Sequence, residues 1–398
     1  MKTAKKNILV VMPGPMELGG VERSLIGLLD SIDTDQYDVD LFVYGHHGPL
    51  FEQIPGNINI LPEVKELAYL RDSFRQKIVH GCFVSAAFRL RDALLHKMGR
   101  SVNFDKTWAS IVRFCVPKLK NQYDLALSFF LPFDLLAEKV DAKVKLGWIH
   151  TDYSSENADW EVLLDQYSKV DYIIAVSQKC ADAFAGKLPQ LKSKIRVIEN
   201  ILPEKLIRQQ AEAASIEDEM PAKGIRLLSI GRYCTAKNFD NVPDMCAHLL
   251  QYGLDVYWYI IGFGADEALI RQKIKEVGME ERVILLGKKE NPYPYIKACD
   301  LYVQPSRYEG KCVSVLEAQM LGKPVIITRY PTSTSQLKDG VDGMIVPQDN
   351  EGCAAGIFEL LKDADRMKML VENCARNDYS NSAEIEKVME LLKGAEDR

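Results

Sequence analysis

The chain has 398 residues, 47% of them hydrophobic, and a formal net charge of −6 at pH 7. That length suits two domains of about 150 to 200 residues, the apolar content excludes a disordered chain, and no window approaches the roughly 20 apolar residues of a membrane span. The nine cysteines form no C-x-x-C pair and have no histidine at metal-ligand spacing, so they read as core thiols in a reducing cytosol.

The basic start MKTAKK precedes ILVVM, which is too short for a signal peptide and stops at Pro-Gly-Pro; residues 7–12 are expected to form a first strand. A glycine-rich loop, GPMELGG, then opens a helix over 21–32 with Leu25, Leu28 and Leu29 on one face. Residues 37–44 form the next strand. Charge is uneven beyond it: residues 71–120 hold eleven Lys and Arg against three Asp, leaving the acidic excess to the rest of the chain. Within that block Phe74, Ile78, Cys82, Ala86, Leu90, Leu94 and Met98 recur every four residues, an apolar helical stripe flanked by Arg71, Arg75, Lys77, Arg89, Arg91 and Lys97. Two readings stand: the stripe lies on an anionic membrane, or it packs on its own domain with the charges solvated.

Further strands are expected at 123–130, at 143–150 ending in His150, at 171–177 and at 194–200, with helices between them. Residues 201–224 are charged and poor in large apolar side chains, and are expected to be a linker. A second series of strands then reads IRLLSIG, DVYWYIIG, RVILLG, DLYVQP, PVIIT and GMIVP, each followed by a helical pattern. Alternating strands and helices imply parallel sheets covered on both faces. The predicted organisation is 1–200 with a basic helical insert at about 66–120, a linker at 201–224, a second domain at 225–380, and a last helix at 381–398.

Chemistry concentrates in the second half. The stretch 305–328, PSRYEGKCVSVLEAQMLGKPVIIT, runs from a strand end through a turn bearing Glu309 and Gly310 into a helix bearing Glu317. Ligands of open α/β sheets sit where strand ends meet helix N-termini, so the two acids are placed to touch different parts of one elongated ligand. Backbone N–H groups of Cys312, Val313 and Ser314 face that ligand, and Lys311 adds a cation. GRYCTAKN, 231–238, brings Arg232 and Lys237 to another strand end beside Gly231. Gly262 and Gly264 in GFGADE lack the third glycine of a dinucleotide fingerprint and are expected to let the chain pass close to a nucleotide. There is no P-loop. Asp38 and Asp40 form a D-x-D, but inside a strand with both acids on one face, so no metal is expected.

The Pro-Ser turn, the two acids eight apart and the Gly-Lys-Pro-Val that follows resemble the donor-sugar signature of the family 4 retaining glycosyltransferases, with Lys311-Cys312 standing where that family usually has other residues. The resemblance implies the GT-B fold, two doubly wound Rossmann-like domains facing across a cleft, the first holding the acceptor and the second a nucleotide sugar, with the last helix returning to the first domain. It further implies that Arg232 and Lys237 clamp the departing diphosphate, Glu309 holds the donor sugar, Glu317 the ribose, His150 positions the sugar, and Gly19 and Gly20 lie near the donor phosphates. The expected activity is retaining transfer of a hexose from a nucleotide-diphosphate sugar, with UDP as the expected nucleotide, to an acceptor such as a lipid-linked saccharide in cell-surface polysaccharide synthesis. No cofactor, no metal and no nucleic-acid partner are expected, and the place is the cytoplasm, peripheral on the inner face of the plasma membrane. The alternatives are a nucleotide-sugar epimerase on the same double fold and a non-catalytic nucleotide-sugar-binding partner subunit.

Overall fold

A computed structural model describes residues 5–70, 72–98, 104–151, 153, 159–213 and 215–394. The chain divides into two compact units, Met1–Ile201 with Ser382–Arg398, and Leu202–Asn381. In the first, seven strands form one parallel sheet: β1 (Lys6–Pro15), β2 (Tyr37–Gly45), β3 (Asn59–Ile60), β4 (Gln122–Ser128), β5 (Asp141–Ile149), β6 (Tyr172–Ala175) and β7 (Ile195–Val197). Their order is β3-β2-β1-β4-β5-β6-β7, so the direction of winding reverses between β1 and β4. Ile8 to Met12 are all buried, the continuous apolar run that a strand covered on both faces requires.

The second unit repeats the plan with six strands: β8 (Ile225–Ile230), β9 (Val256–Ile261), β10 (Val283–Gly287), β11 (Leu301–Gln304), β12 (Val325–Thr328) and β13 (Met344–Val346). The order β10-β9-β8-β11-β12-β13 reverses between β8 and β11, which pair Leu227 with Leu301 and Leu228 with Tyr302. A buried relay crosses this junction. Trp258 Nε1 donates to Ser229 Oγ at 2.9 Å, and Ser229 Oγ donates to the Val303 carbonyl at 2.5 Å.

Two expectations change. Residues 201–224 do not form a linker: they contain a helix, Glu204–Ala211, and Leu202, Ile207, Ala211 and Met220 are buried in the core of the second unit. The four apolar anchors are spaced too widely among charges to register as a pattern. The apolar stripe of the insert is also not one helix. After α1 (Gly20–Ser31), the insert contains α2 (Lys65–Ala68), α3 (Phe74–Val79), α4 (Phe83–Lys97) and α5 (Phe104–Cys115), with Gly81 at φ +74 breaking α3 from α4. Cys82 and Ala86 turn inward, while Phe74, Ile78, Leu90, Leu94 and Met98 are exposed. Lys77, expected as a surface charge, is buried and donates to the carbonyls of Tyr69 and Leu70 at 2.6 and 2.8 Å. Arg71 lies outside the described residues. The last helix, Glu384–Lys393, groups with the first unit, where Glu384 Oε2 accepts the Glu199 N–H at 2.9 Å.

Candidate active site

Because the second sheet reverses between β8 and β11, the loops leaving those two strands diverge to opposite faces and leave a crevice at their carboxyl ends. The loop after β8 carries Arg232 and Lys237; the loop after β11 carries Glu309. There Lys237 Nζ donates to Glu309 Oε1 at 2.5 Å and stands 3.8 Å from Cys312 Sγ. Both charged side chains are largely buried, 15% and 12% exposed, so the pair is shielded from the screening that weakens surface ion pairs. Burial pulls the Lys237 pKa down, but Cys312 and Glu309 outweigh it and the net shift is upward, so the ammonium is held charged.

Glu309 is also fixed from behind. Gln304 Nε2 donates to Ser306 Oγ at 2.9 Å, and Ser306 Oγ donates to Glu309 Oε1 at 2.6 Å. The Tyr302 hydroxyl lies 2.9 Å from Gln304 Oε1 and 2.7 Å from Ser314 Oγ, which extends the chain to the first turn of the helix Val313–Met320. Thr332 Oγ1 donates to the Glu309 carbonyl at 2.5 Å. A carboxylate held by a cation, a hydroxyl and its own backbone keeps one rotamer, and its other oxygen, Oε2, has no partner among the described residues.

Three glycines of this loop pair serve packing. A Cβ at Gly231 would meet Lys237 Cε at 2.9 Å, and one at Gly262 would meet the Gly231 carbonyl oxygen at 1.9 Å. Gly264 has φ +157, and a Cβ there would meet the Tyr233 carbonyl oxygen at 2.3 Å. The β8 and β9 loops are thus pressed backbone to backbone, which sets the Lys237 stem against Gly231. Arg232 is exposed and has no partner among the described residues.

At the helix mouth the expected set of N–H groups is reduced by one. The Cys312 N–H donates to Gln336 Oε1 at 2.6 Å while Gln336 Nε2 donates back to the Cys312 carbonyl at 3.1 Å, so that peptide is closed to a ligand; Val313 and Ser314 have no N–H partner among the described residues. Burial pushes the Cys312 thiol up to about 11 despite Lys237, so it is protonated at neutral pH and is no nucleophile. Lys311 Nζ, beside the half-buried Gly310, donates to the Ser335 carbonyl at 2.7 Å. Glu317 is wholly buried, with the Tyr293 hydroxyl on its Oε1 at 3.0 Å, so a ligand hydroxyl reaches it only by entering among the groups that cover it.

In the first unit, Gly19 caps α1 and Gly20 begins it. A Cβ at Gly19 would meet Glu22 Oε2 at 2.2 Å, so the Glu22 carboxylate folds back over the helix's positive end. His150 follows β5, next to β4 in the sheet, and its ring lies 5.1 Å from that of Phe129 just after β4. Its Nε2 is buried without a partner among the described residues. Burial lowers its pKa to about 3, against a hydrogen bond to the Phe129 backbone, so the imidazole is neutral at physiological pH. Asp40 of the D-x-D accepts from Asn59, Asn121 and Tyr123, and Asp38 pairs with Lys5 at 3.4 Å.

Sequence reasoning missed the residues that fix this geometry. Arg307 donates to both carboxylate oxygens of Asp240, and its N–H donates to the Ala236 carbonyl at 2.7 Å. Ser306 and Arg307 stand inside the PSRYEG turn and were legible there as polar turn residues; nothing in the sequence marks Asp240 as the partner of Arg307, or Gln348 as the donor to the carbonyls of both.

Two doubly wound parallel sheets with a cation and acid pair at the second switch point define a GT-B protein. Residues 211–377, nearly all of the second unit, match the family described as Glycosyl transferases group 1. The chain is 27% identical over 234 residues to the N-acetylgalactosamine-N,N'-diacetylbacillosaminyl-diphospho-undecaprenol 4-alpha-N-acetylgalactosaminyltransferase of Campylobacter jejuni, covering 58% of this chain and 60% of that one. It is 25% identical over 219 residues to the lipopolysaccharide core biosynthesis glycosyltransferase LpsE of Rhizobium meliloti, 55% and 62% of the two chains. These matches span less than two thirds of either relative. Among solved structures, Anabaena HepE in complex with UDP superposes with a TM-score of 0.67 over 98% of this chain and 100% of that one at 18% identity. Staphylococcus aureus TarM gives 0.68 over 98% and 99% at 14%.

Proposed function

We propose that the protein is a retaining glycosyltransferase that moves a hexose from a nucleotide-diphosphate sugar, UDP being the nucleotide, to a hydroxyl of a lipid-linked saccharide in cell-surface polysaccharide synthesis. The observation that carries this reading is the buried Lys237–Glu309 pair at the β8/β11 switch point, with Arg232 on the Lys237 loop and the N–H groups of Val313 and Ser314 on the helix after Glu309 all without a partner among the described residues. Cations and helix N–H groups suit a diphosphate, and a fixed carboxylate suits sugar hydroxyls.

In the reaction the bond between the anomeric carbon and the β-phosphate oxygen breaks while the acceptor oxygen bonds the anomeric carbon on the same face. The acceptor proton passes to the departing phosphate oxygen. Lys237 keeps a donor free for that phosphate, Arg232 supplies the second cation, and charge relief by these two replaces a metal. Neutral His150 offers Nε2 as an acceptor for a hydroxyl, and Glu317 holds the ribose once the pocket around Tyr293 has opened. That relatives named for diphospho-undecaprenol-linked acceptors match this chain, and that HepE has been crystallised with UDP and glucose, supports the donor and acceptor classes.

The exposed apolar residues of α3 and α4, with Arg75, Arg89, Arg91 and Lys97 beside them, support a peripheral position on an anionic membrane, its inner face being where nucleotide sugars are available. No described helix is long and apolar enough to cross a membrane. The test is a panel of nucleotide sugars against unfolding temperature, followed by transfer assays with and without chelator. Stabilisation by UDP-sugars and chelator-insensitive transfer are expected; a panel that leaves the unfolding temperature unmoved, or transfer restored only by manganese, overturns the reading.

A further inference from the structure

The basic insert of the first unit encloses a cavity of about 460 Å³ among α3, α4, α5 and the end of α2, within the roughly 300–1,000 Å³ of small-molecule sites. Its apolar wall is made by Leu70, Trp108 and Ile111. Its exposed rim is basic: Arg89, His96 and Lys97 all line it.

The buried charges of the cavity are already satisfied. Lys77 is spent on two carbonyls, and Asp92 accepts from Arg91 at 2.9 and 2.6 Å and from Thr107 at 2.7 Å. At the rim Arg89 gives one N–H to the Asp72 carbonyl, while the side chains of His96 and Lys97 have no partner among the described residues. An incoming molecule therefore meets hydrocarbon and aromatic surface inside and, outside, positive charge that no acid among the described residues pairs. A neutral hydrocarbon makes no use of the rim and a free phosphate makes no use of the wall.

We propose that this cavity binds a phosphorylated lipid, with the hydrocarbon next to the phosphate against Trp108 and Ile111 and the phosphate at Arg89 and Lys97. That the lipid is the carrier of the acceptor saccharide rests on the function proposed above; the site itself does not. The exposed Leu90 and Leu94 on the same helix place the site beside the surface from which such a lipid arrives.

The experiment titrates the full chain with farnesyl diphosphate, farnesol, inorganic diphosphate and dihexanoyl-phosphatidylglycerol, all below micelle-forming concentrations, reading Trp108 emission as the difference between the wild type and Trp108→Phe. UDP-induced thermal shift is recorded on the same samples. A phosphorylated lipid is expected to bind at least tenfold tighter than farnesol or inorganic diphosphate, to weaken at least tenfold in the exposed double variant Arg89→Glu/Lys97→Glu, and to be lost in Ala93→Phe. Preference for farnesyl diphosphate identifies a carrier lipid, and preference for phosphatidylglycerol a bilayer lipid; either supports the site. Equal binding of inorganic diphosphate or of farnesol, no binding at all, or affinity unchanged in the Arg89→Glu/Lys97→Glu variant overturns it, the last also if Ala93→Phe does not fold. A retained UDP shift alongside such a failure strikes this cavity alone, whereas loss of the UDP shift strikes the donor reading instead.

Discussion

Arg307 grips both carboxylate oxygens of Asp240, at 2.9 and 2.8 Å, across 67 residues of sequence. The same guanidinium donates to the Thr235 carbonyl at 2.6 Å, so one side chain from the Glu309 turn ties together the 3-10 turn Thr235–Lys237, which carries Lys237, and the next one, Phe239–Asn241. A bidentate pair of this kind fixes distance as well as charge. Arg307→Ala is expected to lower kcat/KM for transfer at least tenfold through kcat, with UDP affinity changed less than threefold. Arg307→Lys keeps the charge but not the fork and should recover only part. Equal kcat in wild type and Arg307→Ala would remove the bridge from the mechanism.

Lys237 and Glu309 depend on each other in a way that separates stability from activity. Removing one partner of a buried pair strands the other charge, a cost of about 3 kcal/mol. Glu309→Ala should therefore lower both urea stability and transfer, the latter at least a hundredfold, and adding Lys237→Met should restore part of the stability and none of the transfer. The Lys237 pKa is raised above the ordinary 10.5, so the stabilisation is fully present below that value and is lost only as pH climbs through the raised one. A pH profile of stability should show no loss attributable to this pair up to about pH 10.

How much of this was legible follows from where each signal lies. The loops that bear Arg232, Lys237 and Glu309 each follow an apolar run directly, so strand ends could be read from the sequence and the residues assigned to a ligand face. That Lys237 and Glu309 touch depends on β8 lying beside β11, a topological fact that no local pattern carries. The apolar period of four between 74 and 98 spans the α3/α4 break, because a single Gly81 at φ +74 lets a periodic sequence turn without losing period. Glu317 read as a ligand for the same reason that it is buried: it stands in an apolar helix, and its partner Tyr293 comes from a different one.

Glycine substitutions distinguish packing from chain entropy. A Cβ at Gly262 would sit 1.9 Å from the Gly231 carbonyl, backbone that cannot yield without moving the Lys237 loop. Gly262→Ala should cost about 2 kcal/mol or more and reduce transfer with it. Gly186 lies within the helix Gln178–Lys187, and a methyl group added there would have nothing within 4 Å. Gly186→Ala should therefore stabilise by about 0.5 to 1 kcal/mol. Urea titrations of both variants check the opposite signs.

The exposed residues of α4 set up a surface test. Leu90 and Leu94 are each about half exposed, at 52% and 53%, so Leu90→Glu/Leu94→Glu removes apolar area without opening a cavity. Co-sedimentation with vesicles rich in phosphatidylglycerol should fall at least tenfold in this variant and fall with salt in the wild type. Stability should stay within about 0.5 kcal/mol. Sedimentation indifferent to anionic lipid content and to salt would leave α4 without a membrane role.

His150 supplies a pH signature of its own. Its pKa falls from 6.5 to about 3 in the folded protein, so the folded state resists protonation that the unfolded chain accepts. A depressed histidine contributes no penalty above about pH 6.5, and stability is lost as pH falls from there toward 3, by at most about 1.4 kcal/mol per pH unit. His150→Gln keeps a polar side chain without the titration, so its stability should decline less between about pH 6.5 and pH 5 than that of the wild type. Transfer at about pH 7.5 should drop at least tenfold in the same variant if, as proposed, Nε2, buried and unpartnered among the described residues, accepts from a ligand hydroxyl. Parallel acid declines in the two proteins would mean that this imidazole titrates as an ordinary one, and that its environment does not hold it neutral.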